Sequence, residues 1–170
     1  MTGPRIPLPT DPSAPKYGTP IDHAVADYAA AAVRGDRLDP VITELVRLRC
    51  ARVHDCRLCR SLRTAPDDLD ETTAAKIDHY EDSDLPERAK VALRLTDAVI
   101  LEPAGAGPEL RAAAHEHFSP AEIAELLLDV VKWSQQKASV ALRIEPPPRD
   151  GLSRLTFDAD GQPRIGDALH

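Results

Sequence analysis

A chain of 170 residues has the length of one domain, at roughly 150 residues each. Its 21 lysines and arginines against 28 acids leave a formal net charge of −7, the wrong sign for a general binder of nucleic acid or anionic membrane. Hydrophobic residues at 42% and charged ones at 29% fit a globular chain and exclude a disordered one. The longest apolar run is Tyr28 to Val33, far short of the ~20 residues of a membrane helix. The opening MTGPRIPLPT offers no apolar core for a secretory signal. Three cysteines are too few for a secreted disulfide scaffold. The expected compartment is a reducing cytoplasm, with no membrane and no nucleic-acid partner.

Pro4, Pro7, Pro9, Pro12, Pro15 and Pro20 crowd the first 20 residues. Proline fixes φ and removes a donor, so residues 1–19 read as an extended arm, either a loose terminus or a strap across a neighbouring subunit. A helical domain is expected over 20–145. Thr19-Pro20 opens its first helix and Gly35 closes it. Asp39-Pro40 opens a second helix carrying Val41, Leu45 and Leu48. Residues 70–80 and 86–101 read as two more. Ser119-Pro120-Ala121-Glu122 is a capping box with proline at the first helical position, and the helix it starts is expected to run to about Arg143. No strand is expected before residue 150. Pro146 to Pro148 begin a tail over 146–170, in which residues 154–165 alternate around Asp160-Gly161 as a short β-hairpin.

Cys50, Cys56 and Cys59 fall within ten residues. Around them, between positions 40 and 64, stand six arginines (47, 49, 52, 57, 60 and 63) and only two acids, Glu44 and Asp55. Arginine near a thiol favours the thiolate, as does a helix start. Asp55 offers itself as the cap of a helix carrying Cys56 and Cys59 on one face in its first turn. A C-x-x-C in an intracellular chain reads as a redox pair. The alternatives are inert buried thiols, with the arginines solvated or paired to Asp67, Asp68, Asp70 and Glu71, and a zinc site at Cys50, His54, Cys56 and Cys59. Structural zinc usually takes two well-separated ligand pairs, which this spacing does not provide. Glu44, twelve residues before Cys56, is either a proton acceptor for the thiols or half of an i,i+3 ion pair with Arg47.

At these residues the sequence resembles the carboxymuconolactone decarboxylase family, in its AhpD-like alkylhydroperoxidase branch. The likeness runs through Glu44-Leu-Val-Arg-Leu-Arg, Cys56-x-x-Cys59, Pro86-Glu-Arg-Ala, His117-Phe-Ser-Pro-Ala-Glu-Ile-Ala-Glu-Leu and Ala141-Leu-Arg-Ile-Glu-Pro-Pro, about residues 20–148. The resemblance implies an all-α, AhpD-like helical fold assembled as trimers or hexamers, acting on a peroxide or disulfide without metal or cofactor. It implies that Cys59 attacks the peroxide and becomes a sulfenic acid, that Cys56 resolves it to a disulfide, and that Glu44 relays the proton. The reductant would be a lipoyl or thioredoxin-like protein. The dipole argument alone would instead make Cys56 the attacker.

One departure stands out. Where the family usually places histidine, four residues after the second cysteine, this chain has Arg63, and between the cysteines it has Leu58. Arginine cannot cycle a proton at neutral pH, so Arg63 is expected to hold a thiolate by charge, with His54 as a substitute base. The departure keeps two alternatives in view: a catalytically silent oligomer of the family, and a lactone decarboxylase.

Overall fold

The computed structural model describes Arg5 and residues 19–169. The proposed arm therefore lies outside the described residues, apart from Arg5 and Thr19. Arg5 donates from its backbone N–H to the Leu142 carbonyl at 2.9 Å and from its side chain to Ala141 at 2.7 Å.

Eight α-helices carry the described fold: α1 (Pro20–Ala32), α2 (Pro40–Val53), α3 (Arg57–Arg60), α4 (Glu71–Ala75), α5 (Glu87–Leu101), α6 (Pro108–His117), α7 (Pro120–Ser134) and α8 (Gln136–Leu142). Their starts follow the punctuation of the sequence. Asp39 accepts a bond from the Ile42 N–H, and Asp70 one from Thr73. Ser119 and Glu122 close the capping box reciprocally, satisfying donors that a bare helix start leaves open. The expected helix over 70–80 is split, because α4 gives way after Ala75 to a 3₁₀ segment over Lys76–Asp82. The expected helix to Arg143 is likewise two helices meeting at Gln135, and Arg143 ends the second in a left-handed conformation.

Gly35 closes the first helical segment by close approach, not by left-handed backbone. A side chain there would meet the Glu125 carboxylate, which accepts the Arg37 and Leu38 N–H groups and fixes the α1–α2 turn against α7. Helices α2, α5 and α7 enclose the core, contributing Leu45, Val46, Leu48, Val91, Leu93, Leu126 and Val130. The face of α2 opposite the cysteines is pinned through Arg49, which grips Asp97 of α5 with two bonds while Tyr80 donates to the same carboxylate.

The tail forms the expected hairpin from β2 (Leu152–Phe157) and β3 (Pro163–Leu169), turning through Asp160 and Gly161. It does not stand alone. A two-residue strand, β1 (Leu62–Arg63), pairs parallel to β2 directly after the cysteine helix, in register Leu62 to Ser153. A parallel partner some ninety residues away leaves no local signal, which is why no strand was expected there. Phe157 then packs on Trp133 of α7, ring centroids 6.5 Å apart. The hairpin thus roofs the end of the bundle that carries the cysteines. Gly161, at φ 76°, touches the Ala30 backbone, where a β-carbon has no room. Replacing Gly161 by Ala should therefore cost about 1–3 kcal/mol, from the left-handed φ and the overlap together, read as a lowered midpoint in urea unfolding.

Candidate functional site

The cysteine pair owes its geometry to the way α2 ends. Asp55 adopts a positive φ of 52°, a conformation that aspartate tolerates better than most residues. The Cys56 N–H then reaches back to the Ala51 carbonyl at 2.9 Å and the Asp55 N–H to Arg52 at 3.1 Å, the bond pair of a Schellman close. Asp55 is thereby spent ending α2, and the cap of α3 falls to Cys56 and not to Asp55 as expected from sequence. Cys56 Sγ accepts the Cys59 N–H at 3.3 Å. Because α3 is a single turn, this bond supports charge on the Cys56 sulfur more than any macrodipole does.

Cys56 and Cys59 face one another, their sulfurs 2.7 Å apart and hydrogen-bonded. Cys56 is 0% exposed and Cys59 7%. The hydrogen bond to Cys56, then burial, pushes the Cys59 thiol well above the ordinary thiol range, so in the resting pair Cys59 keeps its proton. Two cations oppose that shift, Arg47 and Lys132. Cys50, one turn from the end of α2, is buried in the main core and its thiol is pushed up to about 12, chiefly by burial. Among the described residues, no group of three or more His, Cys, Asp or Glu side chains converges as a metal cage.

Glu44 and Arg47 form a closed unit at 0% and 1% exposure. The guanidinium donates to both carboxylate oxygens, at 2.6 and 2.7 Å. Two further N–H groups reach the carbonyls of Cys59 in α3 at 2.9 Å and Leu62 in β1 at 2.5 Å. Burial works against the Arg47 charge, and Glu44 outweighs it and keeps the guanidinium protonated. Glu44 accepts two further bonds, from the Thr64 N–H at 3.2 Å and from the Thr64 hydroxyl. The ion-pair alternative for Glu44 is thus what the fold shows, and the glutamate reaches the thiols through Arg47.

The remaining arginines of the basic segment are dispersed. Arg52 faces Asp78, Arg57 grips Glu145 with two bonds, and Arg60 pairs with Asp55. Arg63 is buried, held by Glu71 at 2.6 and 2.8 Å and by the carbonyls of Arg60 and Leu62. Its charge is answered by Glu71, an acid the sequence had set beside it. His54 occupies the cap position of α2, both ring nitrogens buried without a hydrogen-bond partner among the described residues. Burial first, and Lys137 second, lower its pKa to about 4, so it stays neutral at physiological pH. A cleft of about 350 Å³ opens beside α3 between Arg57, Arg60, Arg149 and Leu152, and neither cysteine lines it.

Sequence reading missed Lys132. It is 5% exposed, on the apolar side of α7, with its amine against the Trp133 ring and 5.4 Å from that of Phe157. Its sequence signal was faint: in the run Leu126-Leu-Leu-Asp-Val-Val-Lys-Trp, helical spacing from Leu126 and Val130 turns Trp133 inward and not Lys132. Burial, then Arg47, lowers its pKa to about 6. One turn earlier, Asp129 is raised to about 7, chiefly by burial.

No protein-family model matches the chain. Two uncharacterized proteins of Mycobacterium tuberculosis, from strains CDC 1551 / Oshkosh and ATCC 25618 / H37Rv, are each 36% identical over 164 residues, which is 92% of this chain. The chain spans 57% of the length of these relatives. A crystal structure of a protein of unknown function from Agrobacterium tumefaciens, with antioxidant defence protein AhpD as its candidate assignment, superposes with a TM-score of 0.61 at 20% identity. That match covers 75% of this chain and 88% of the other, and it shows an AhpD-like fold. Among the described residues no helix is long and apolar enough to cross a membrane.

Two outcomes follow for stability. Replacing Arg47 by Met strands the buried Glu44 carboxylate and should cost about 3–5 kcal/mol, much of it recovered when Glu44→Gln is added, as read by urea unfolding of the single and double variants. The folded Asp129 carboxyl holds its proton up to about pH 7, the unfolded one only to ~3.9. Its contribution is complete below the unfolded value and is lost as pH rises through the folded one. Asp129→Asn should therefore flatten the fall in unfolding free energy that this carboxyl causes between pH ~4 and ~7, measured as urea midpoints across that range.

Proposed function

We propose that this chain is an AhpD-like member of the carboxymuconolactone decarboxylase family and a thiol-dependent peroxidase or disulfide reductase working through Cys56 and Cys59. One observation carries the reading: two sulfurs 2.7 Å apart on a single helical turn, one accepting the other's backbone N–H. A disulfide needs an S–S distance of ~2.0 Å, so oxidation requires side-chain adjustment and no rebuilding of the turn. The AhpD-like fold supports the same reading.

In this reaction the Cys59 sulfur attacks the distal peroxide oxygen, and the O–O bond breaks. The leaving oxygen departs as alcohol or water, taking up a proton, and Cys59 becomes a sulfenic acid. Cys56 then attacks the Cys59 sulfur, and hydroxide leaves as water with the remaining thiol proton. Overall, one peroxide is reduced by two electrons and the two thiols lose two hydrogens to form one disulfide. A lipoyl or thioredoxin-like dithiol returns those electrons by exchange. Glu44 serves by holding Arg47, and through it the carbonyls of Cys59 and Leu62 at the far end of the turn. Arg63 braces the same turn against Glu71, and His54 contributes a neutral ring at its entry.

The working unit is a homo-oligomer, a trimer or hexamer, in the reducing cytoplasm. Exposed Ile21 and Val25 on α1 and Leu128 and Val131 on α7 supply an apolar face for that assembly. A second reading, a catalytically silent oligomer, is favoured by the near-complete burial of both sulfurs.

Stoichiometric peroxide should lower the mass of the intact chain by two hydrogens, and neither Cys56→Ser nor Cys59→Ser should show that loss. A sulfenic-acid trap should label Cys56→Ser and leave Cys59→Ser unlabelled. Label confined to Cys59→Ser would make Cys56 the attacker. Thiols that stay unoxidised under excess peroxide would establish the silent reading.

A further inference from the structure

Reduction by a lipoyl or thioredoxin-like dithiol requires a foreign sulfur to touch Cys56 or Cys59, since exchange proceeds through a mixed disulfide. Both sulfurs are almost fully buried, so that contact requires a cover to move. The cover is short: Val140 of α8 packs against the cysteine pair, and the chain runs on from it to Glu145. The Glu145 carbonyl accepts the Leu58 N–H at 3.1 Å, and its carboxylate takes two N–H groups of Arg57 at 2.9 and 3.0 Å. Among the described residues, no other hydrogen bond joins residues 140–152 to α3. We propose that Glu145 is a latch, holding residues 140–145 over the dithiol until its release from Arg57 admits the sulfur of the reductant. It acts as a positioning residue, and the inference rests on the redox reading of Cys56 and Cys59.

Three features of the segment fit a part that opens. The first is a hinge. Arg143, between Val140 and Glu145, sits at φ 56° and ψ 43°, a left-handed conformation that costs a residue with a side chain and persists only where its surroundings enforce it. The Ile144 N–H, returning to the Ser139 carbonyl at 3.0 Å, enforces it on one side, and the Glu145 bonds to α3 enforce it on the other. Hinges are such element-terminal residues, able to absorb a large backbone change. The second is room. Beyond Glu145 the three prolines have no N–H to offer, and the chain stands off from α3 until Ser153 donates to the Ser61 carbonyl at 2.9 Å. The cleft of about 350 Å³ lies in that gap, with Arg57 and Arg60 on one wall and Pro147 and Arg149 on the other. The third is a fastening of moderate strength. Glu145 is buried, but the Arg57 side chain is 38% exposed, so water can take the place of the carboxylate. The sealed Glu44–Arg47 pair holds the cysteine turn itself, so the cover moves while the dithiol stays in place. Arg5 binds the Ala141 and Leu142 carbonyls, which ties the cover to Arg5 and not to α3.

Dipyridyl disulfide, an uncharged aromatic disulfide, probes the step in the reduced full-length chain. One cysteine thiolate attacks a probe sulfur and thiopyridone leaves. The second cysteine then displaces another thiopyridone, and the Cys56–Cys59 disulfide forms. Thiopyridone release should be about fivefold faster in Glu145→Gln and in Arg57→Gln, and the double variant should be no faster than either. The shared direction matters. Removing a negative and a positive charge beside a thiol would change its reactivity in opposite senses, whereas breaking one latch speeds both. Peptide mass should find Cys50, in the main core, unmodified throughout. Raising salt from ~0.05 to ~0.5 M should speed release from the unaltered chain by about twofold, by screening the half-exposed pair, and should leave Glu145→Gln unaffected. Rates unchanged by both substitutions would overturn the proposal. So would opposite effects of the two, acceleration with Cys50 modified in step, which marks unfolding of the core, or a salt dependence retained in Glu145→Gln. The redox reading fails by a different sign: pyridyl mixed disulfides that never resolve to a Cys56–Cys59 link, whatever the rate.

Discussion

Arg47 is the residue on which the cysteine turn is hung. Its guanidinium spends two N–H groups on Glu44 and the others on the carbonyls of Cys59 and Leu62, fastening α2, α3 and β1 to one buried point. Such a pair is costly to bury, and the geometry here repays it with four hydrogen bonds to the guanidinium fork. Because β1 is also the strand on which the hairpin docks, the same point governs whether Phe157 closes over Trp133 and Lys132. Stability and site geometry are therefore not separable at this residue.

The electrostatics of the dithiol follow from burial more than from the number of arginines nearby. In sequence, six arginines crowd three cysteines. In the fold, Arg49, Arg52, Arg57, Arg60 and Arg63 each turn to an acid, three of them to acids from distant segments. What remains close to Cys59 is one cation neutralised by Glu44 and one lysine that burial holds near neutrality. The pair is consequently asymmetric: Cys56 accepts the backbone N–H and Cys59 keeps the proton.

Much of the helical frame was legible in the residues. Asp39, Asp70 and Ser119 cap helices because a short side-chain oxygen before an apolar run has few other uses, and Asp160-Gly161 turned the hairpin for an equally local reason. The approach of Cys56 to Cys59 was legible as well, since three-residue spacing puts two side chains on one face. Three features were not. Asp55 looked like a cap but was consumed in ending α2, a competition decided by backbone conformation. The pairing of Leu62 with Ser153 is long-range and leaves no local pattern. Lys132 was masked by its own helix, where one cation in a leucine-rich stretch resembles a surface position until the hairpin is seen to cover it.

The central claim is that Cys56 and Cys59 form one reversible two-electron couple isolated from Cys50. Equilibration of the reduced protein across a series of glutathione redox buffers, quenched and mapped by peptide mass, tests it most directly. The account predicts a single transition in which only a Cys56–Cys59 link appears and disappears, with Cys50 remaining a thiol throughout. A link involving Cys50, a mixed disulfide stable at either cysteine, or thiols that never pair would contradict it.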